Sequence, residues 1–118
     1  MNTKLDKFTV GIEEEYMICD PQTGDLVDKA SLIMNEFKDS KRFSFELIES
    51  EIEANTSIHT DINLAIHELS NLRSKINNFG KSNNFTLGVS GTHPTASPDK
   101  QKFIENDSYT WVSNQLHY

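Results

Sequence analysis

Residues 8–19, FTVGIEEEYMIC, read as a strand for most of their length, yet three consecutive glutamates, Glu13, Glu14 and Glu15, stand in the middle of the run. This constrains the fold more than any other feature, because a strand sends successive side chains to opposite faces. Phe8, Val10, Ile12, Tyr16 and Ile18 fall on one face, and Thr9, Gly11, Glu13, Glu15, Met17 and Cys19 on the other. Period two with β-branched and aromatic residues predicts a strand. Glu13 and Glu15 then point the same way, about 7 Å apart. Like charges so close repel, and more strongly as water is removed. Open solvent, a basic partner or a divalent cation would each offset that repulsion. Glu14 falls on the apolar face with Ile12 and Tyr16. There it sits near an exposed strand end, pairs with a base, or marks a bulge.

A second acidic stretch sharpens the question. In residues 42–57, RFSFELIESEIEANTS, the later part alternates: Glu49, Glu51, Glu53 and Asn55 on one side, Ser50, Ile52, Ala54 and Thr56 on the other. A helix competes, since Glu and Leu are good helix formers, but the alternation and the nearby aromatics predict a strand. If both acidic strands lie in one sheet with these faces aligned, up to five carboxylates share one pocket. The cations nearby in sequence, Lys41 and Arg42, are too few to balance them. Divalent metal beneath a polyphosphate would resolve the excess charge. Solvation of an ordinary wet sheet face is the simpler alternative.

Other elements frame these two. DPQTGD, with Pro21 and Gly24, reads as a turn. Ala30, Ile33, Met34 and Phe37 predict a short helix over 29–38. Residues 61–79 carry the clearest stripe, Ile62, Ala65, Ile66, Leu69, Leu72, Ile76 and Phe79, with Thr60 or Asp61 as the cap and Gly80 placed to end the helix in a left-handed turn. NFTLGVSG, 84–91, predicts a third strand, and residues from about 100 onward helical structure through Phe103, Ile104, Tyr109, Val112 and Leu116. The order β-α-β-α-β-α leaves open an α/β unit or an antiparallel sheet with helices on one face. Either leaves sheet edges uncovered, which predicts a dimer.

Composition excludes some functions. With 118 residues the chain suits one small domain or a piece of a larger one. Eleven basic and 18 acidic residues give a net charge of −7, which argues against nucleic acid or an anionic membrane as partner. A single cysteine, Cys19, allows no internal disulfide. No apolar run approaches the roughly 20 residues of a membrane span, and MNTKLDKF has no signal-peptide core. The expected location is the cytoplasm.

Together, FTVGIEEEYMICDPQTGDLV, ELIESEIEANTSIHTD, the helix ending near LR, and GVSGTHPTA resemble, in order and spacing, the N-terminal part of the glutamate–cysteine ligase type 2 family of carboxylate–amine ligases. The resemblance runs from about Phe8 to the end of the chain. It implies an α+β fold, part of a glutamine-synthetase-like catalytic domain: a mainly antiparallel curved sheet with helices on one face and ATP, metal ions and substrates on the other. The implied reaction is ATP-dependent phosphorylation of the γ-carboxylate of glutamate, then attack by the amino group of cysteine, with Mg²⁺ or Mn²⁺ as cofactor. Activity with cysteine is typically weak in this branch. Carried over by motif, Glu13 and Glu15 are metal-ligand candidates, followed by Glu49 and Glu53. Asn55 and Thr56 would line substrate or nucleotide space, and His93 of GTHP is a weaker candidate for the same role. His59, His67 and His117 read as surface or helix residues, and Cys19 as a small buried one. Members of this family are substantially longer, so a 118-residue piece is expected not to catalyse the reaction alone. A non-catalytic piece that binds metal or nucleotide weakly, or self-associates through its sheet edges, is the alternative, and an unrelated acidic binding domain a third.

Overall fold

The computed structural model describes residues 8–116; His117 lies outside them. Its elements run β1 (Glu13–Cys19), α1 (Ala30–Glu36), β2 (Phe43–Phe45), β3 (Glu51–Asn55), α2 (Ile62–Asn83), β4 (Thr86–Gly88), a 3₁₀ turn (Pro98–Lys100) and α3 (Asp107–Leu116). The strands form one antiparallel sheet in the order β2-β3-β1-β4. The fold is α+β, an open sheet with an apolar face covered by helices.

Side-chain alternation builds that face. Tyr16 and Ile18 of β1, Ile52 and Ala54 of β3 and Phe43 of β2 are buried against Ala30 and Ile33 of α1 and Leu72 and Ile76 of α2. Fully burying such a side chain stabilises by about 1.5–3 kcal/mol. Behind them runs an aromatic chain: Phe37 lies 5.0 Å from Phe43 and 5.7 Å from Phe79, and Phe79 lies 6.0 Å from Phe85. These separations suit tilted and edge-to-face pairs.

Three local expectations change. Residues 42–57 are two strands joined by a bend at 46–50, not one. Phe43 pairs with Ala54 and Phe45 with Ile52, so both strands turn their apolar residues to the helices. The bend is held from outside: the N–H of Glu49 donates to Lys102 O at 2.8 Å, and the N–H of Ile104 to Leu47 O at 3.0 Å. Residues 101–104 are therefore extended, and the last helix starts only at Asp107.

Gly80 does not end α2. The helix runs on to Asn83, and Asn84 takes the left-handed position with φ 56° and ψ 49°. Asn is the residue after Gly best suited to it. Gly80 instead permits close packing: a Cβ there would meet Phe85 O at 2.5 Å. Lys29 completes this helix end, its Nζ donating to Asn83 O at 2.5 Å. At the other end Asp61 is the cap, accepting from the N–H of Asn63 at 2.8 Å.

Candidate functional site

The sheet face away from the helices carries Glu13, Glu15, Met17 and Cys19 from β1, and Glu51, Glu53 and Asn55 from β3. Glu13 stands opposite Asn55, Glu15 opposite Glu53, and Met17 opposite Glu51. Directly opposed like charges destabilise a sheet, so the Glu15–Glu53 pair marks a place where another interaction must compensate.

The third member comes from β2. Its alternation, Phe43 in, Ser44 out, Phe45 in, continues past the strand end and sends Glu46 outward. Carboxylate oxygens of Glu15, Glu46 and Glu53 lie within 4.8 Å of one another. Burial, a hydrogen bond with Glu53, and the charges of Glu15, Glu53 and Glu51 push the Glu46 carboxyl up to about 8. At neutral pH Glu46 therefore holds a proton and donates it to Glu53. Glu51, beside the cluster, is raised by burial and then by Glu15. Glu53 is oriented from its other side: Ser44 Oγ donates to Glu53 Oε1 at 3.2 Å, and Asn55 Nδ2 donates to Ser44 Oγ at 3.1 Å.

Other residues named from sequence contribute no carboxylate to this cluster. Glu13 is exposed at the start of β1. With Asn55, Thr56, Gly11, Ile12 and Ile58 it lines a hollow of about 360 Å³. Thr56 is buried, and its Oγ1 accepts from the N–H of Ile12 at 2.9 Å. Glu49 lies in the bend before β3, where its carboxylate accepts from the N–H and hydroxyl of Ser31 at 3.1 and 2.6 Å. It thereby satisfies the first turn of α1, which has no side-chain cap of its own. His93 borders a hollow of about 230 Å³ that Met17 and Glu51 also line. Its Nε2–H donates to Gly24 O at 2.8 Å, and its Nδ1 accepts from the N–H of Ala96 at 3.0 Å. Nε2 thus ties the 91–96 loop to the turn at 20–25, and Nδ1 braces the loop from within. Cys19 is buried, which raises its thiol, with Asp25 adding to the shift. His59 Nε2 lies 3.1 Å from Glu68 Oε2, and His67 is exposed on α2.

Glu14 has a basic partner. On the helix side of the sheet its carboxylate is gripped by the Arg73 fork, Nε to Oε1 at 2.5 Å and Nη2 to Oε2. That grip holds the Glu14 carboxyl below its ordinary range. The Tyr16 hydroxyl is buried beside the pair without a hydrogen bond of ordinary geometry, and burial and then Glu14 hold its pKa well above the usual phenol value.

Sequence reasoning passed over Glu46, whose signal was the period-two run Phe43-Ser44-Phe45-Glu46. Arg73, 59 positions from Glu14, had none.

A helix-backed antiparallel sheet with carboxylates gathered on its open face fits part of a ligase-like α+β fold. Comparison with known proteins supplies the family. Residues 9–118 match the one described as Glutamate-cysteine ligase family 2 (GCS2), and the chain belongs to it. A relative from Rubrobacter xylanophilus, provisionally named glutamate–cysteine ligase 2-1, is 31% identical over 113 residues, covering 94% of this chain and 30% of that protein. A second from the same organism, provisionally glutamate–cysteine ligase 2-2, is 34% identical over 109 residues, covering 92% and 28%. One from Herpetosiphon aurantiacus, provisionally glutamate–cysteine ligase 2, is 31% identical over 116 residues, covering 92% and 29%. The chain thus spans less than a third of the length of these relatives. By family and by the names of its relatives it is ligase-related. Among the described residues no helix is long and apolar enough to cross a membrane.

Proposed function

We propose that this chain is the cation-binding part of an ATP-dependent carboxylate–amine ligase, with glutamate as acid and cysteine as amine. The supporting observation is the meeting of Glu15, Glu46 and Glu53 within 4.8 Å on the open sheet face. The donor set fits Mg²⁺ or Mn²⁺: three hard oxygen ligands, one holding its proton in a crowd of like charges. A bound divalent cation there would neutralise the phosphate oxygens of ATP and align phosphoryl transfer to the substrate carboxylate.

The protein's own residues prepare this. Ser44 and Asn55 fix the Glu53 carboxylate, so that side chain loses little freedom on binding. As a cation ligand Glu46 would have to be deprotonated, so it would release its proton on binding. One hollow is lined by Glu13, Asn55 and Thr56 and another by Met17, Glu51 and His93. The Glu13–Asn55 and Met17–Glu51 pairs lie one step along β1 and β3 from Glu15 and Glu53 on the same face, and these hollows are the candidate places for the small-molecule substrates.

Thermal melting with added Mn²⁺ or Mg²⁺ tests this. The wild-type melting temperature should rise with cation, and that of Glu15→Gln/Glu53→Gln should not, since only a folded site gains from its ligand. Binding should also release protons at pH 7, chiefly from Glu46. Equal responses of wild type and variant, or none in either, would reduce the glutamates to surface charge.

A further inference from the structure

We propose that the Glu14–Arg73 ion pair is a positioning clamp that aims Glu15 at its partner carboxylates; the cation-affinity part of this inference rests on the function proposed above. β1 has two unlike halves. Tyr16, Met17, Ile18 and Cys19 are all buried, whereas Glu13 and Glu15 are exposed and only Glu14 between them is partly covered. Packing fixes the second half and does little for the first. The first half also carries the opposed Glu15–Glu53 pair, whose repulsion works to pry β1 and β3 apart.

Arg73 opposes that from the far side of the sheet. Its backbone is anchored because its helix is nailed down by Leu72 and Ile76, at 2% and 0% exposure. From there a two-pronged bond, with Nε at 2.5 Å, reaches the residue between Glu13 and Glu15. A planar fork on a carboxylate fixes orientation as well as distance. In a strand, holding Glu14 toward the helix obliges Glu13 and Glu15 to face the open side. The pair is half exposed at Arg73 and contributes little to global stability. Its effect falls on geometry.

The test is Arg73→Lys, which keeps the charge and loses the fork. Hydrogen exchange of the metal-free protein should quicken at Glu14, whose N–H faces β3 in the ladder, and stay unchanged from Tyr16 to Cys19. Manganese affinity, read by electron paramagnetic resonance, should fall about tenfold, as removal of an orienting partner does, with little change in melting temperature. An effect of charge alone predicts the opposite pattern: Arg73→Lys binds Mn²⁺ like wild type and Arg73→Met binds it more tightly. Either of those results, with wild type binding Mn²⁺, would overturn the clamp. If wild type binds no Mn²⁺, the cation reading fails, and exchange alone decides: equal rates at Glu14 in both proteins would overturn the clamp as well.

Discussion

Glu46→Gln should stabilise the metal-free protein at alkaline pH. In the folded chain this carboxyl is pushed up to about 8, against 4.5 for an unperturbed glutamate. Below 4.5 it is protonated whether the chain is folded or not, and it contributes no pH dependence. Between 4.5 and 8 the folded state holds a proton that the unfolded state has lost, so stability falls as pH rises through this window and levels off above it. Two unit charges 4.8 Å apart at an effective dielectric of 20 repel by about 3.5 kcal/mol. Water reaches this face, and screening reduces the penalty to about 1–2 kcal/mol. Glutamine keeps the shape and the donor without the charge. Melting in EDTA from pH 4.5 to 8.5 should show the variant gaining on wild type as pH rises, ending about 4–8 °C higher. Added Mn²⁺ should then favour wild type. A gap that does not change with pH, or a variant less stable than wild type at pH 8.5 in EDTA, would overturn this reading of Glu46.

Three further outcomes test the frame around the site. Ser57 donates through its N–H and hydroxyl to Glu68, at 2.5 Å and 2.6 Å for the closest contacts, and with His59 holds that carboxyl down to about 2. Its contribution is present above pH 4.5 and is lost as pH falls toward 2, so Glu68→Gln should cost about 1 kcal/mol in urea denaturation at pH 6 and nothing near pH 2. Gly80→Ala drives a methyl to 2.5 Å from Phe85 O and should cost about 1–3 kcal/mol despite alanine's better helix propensity, whereas Asn84→Gly, at φ 56°, should be neutral or slightly stabilising.

Which faces exist is written locally along the chain. Alternation is a local property of an extended chain, so the outward aim of Glu13, Glu15, Glu51 and Glu53 and the inward aim of Tyr16, Ile18, Ile52 and Ala54 follow from period two alone. The helical stripe ending at Ile76 and Phe79 was legible for the same reason at period 3.6. Which glutamates meet depends instead on how the elements pack. The bend at 46–50 folds β2 back on β3, which brings Glu46 to Glu15 and Glu53 and leaves Glu49 to cap α1. Packing also decided that Glu14 meets Arg73 across 59 positions, and that Asn84 rather than Gly80 turns the helix end, because Phe85 needs the space at Gly80. Distances between separate elements depend on how the whole core closes, and no run of neighbouring residues encodes them.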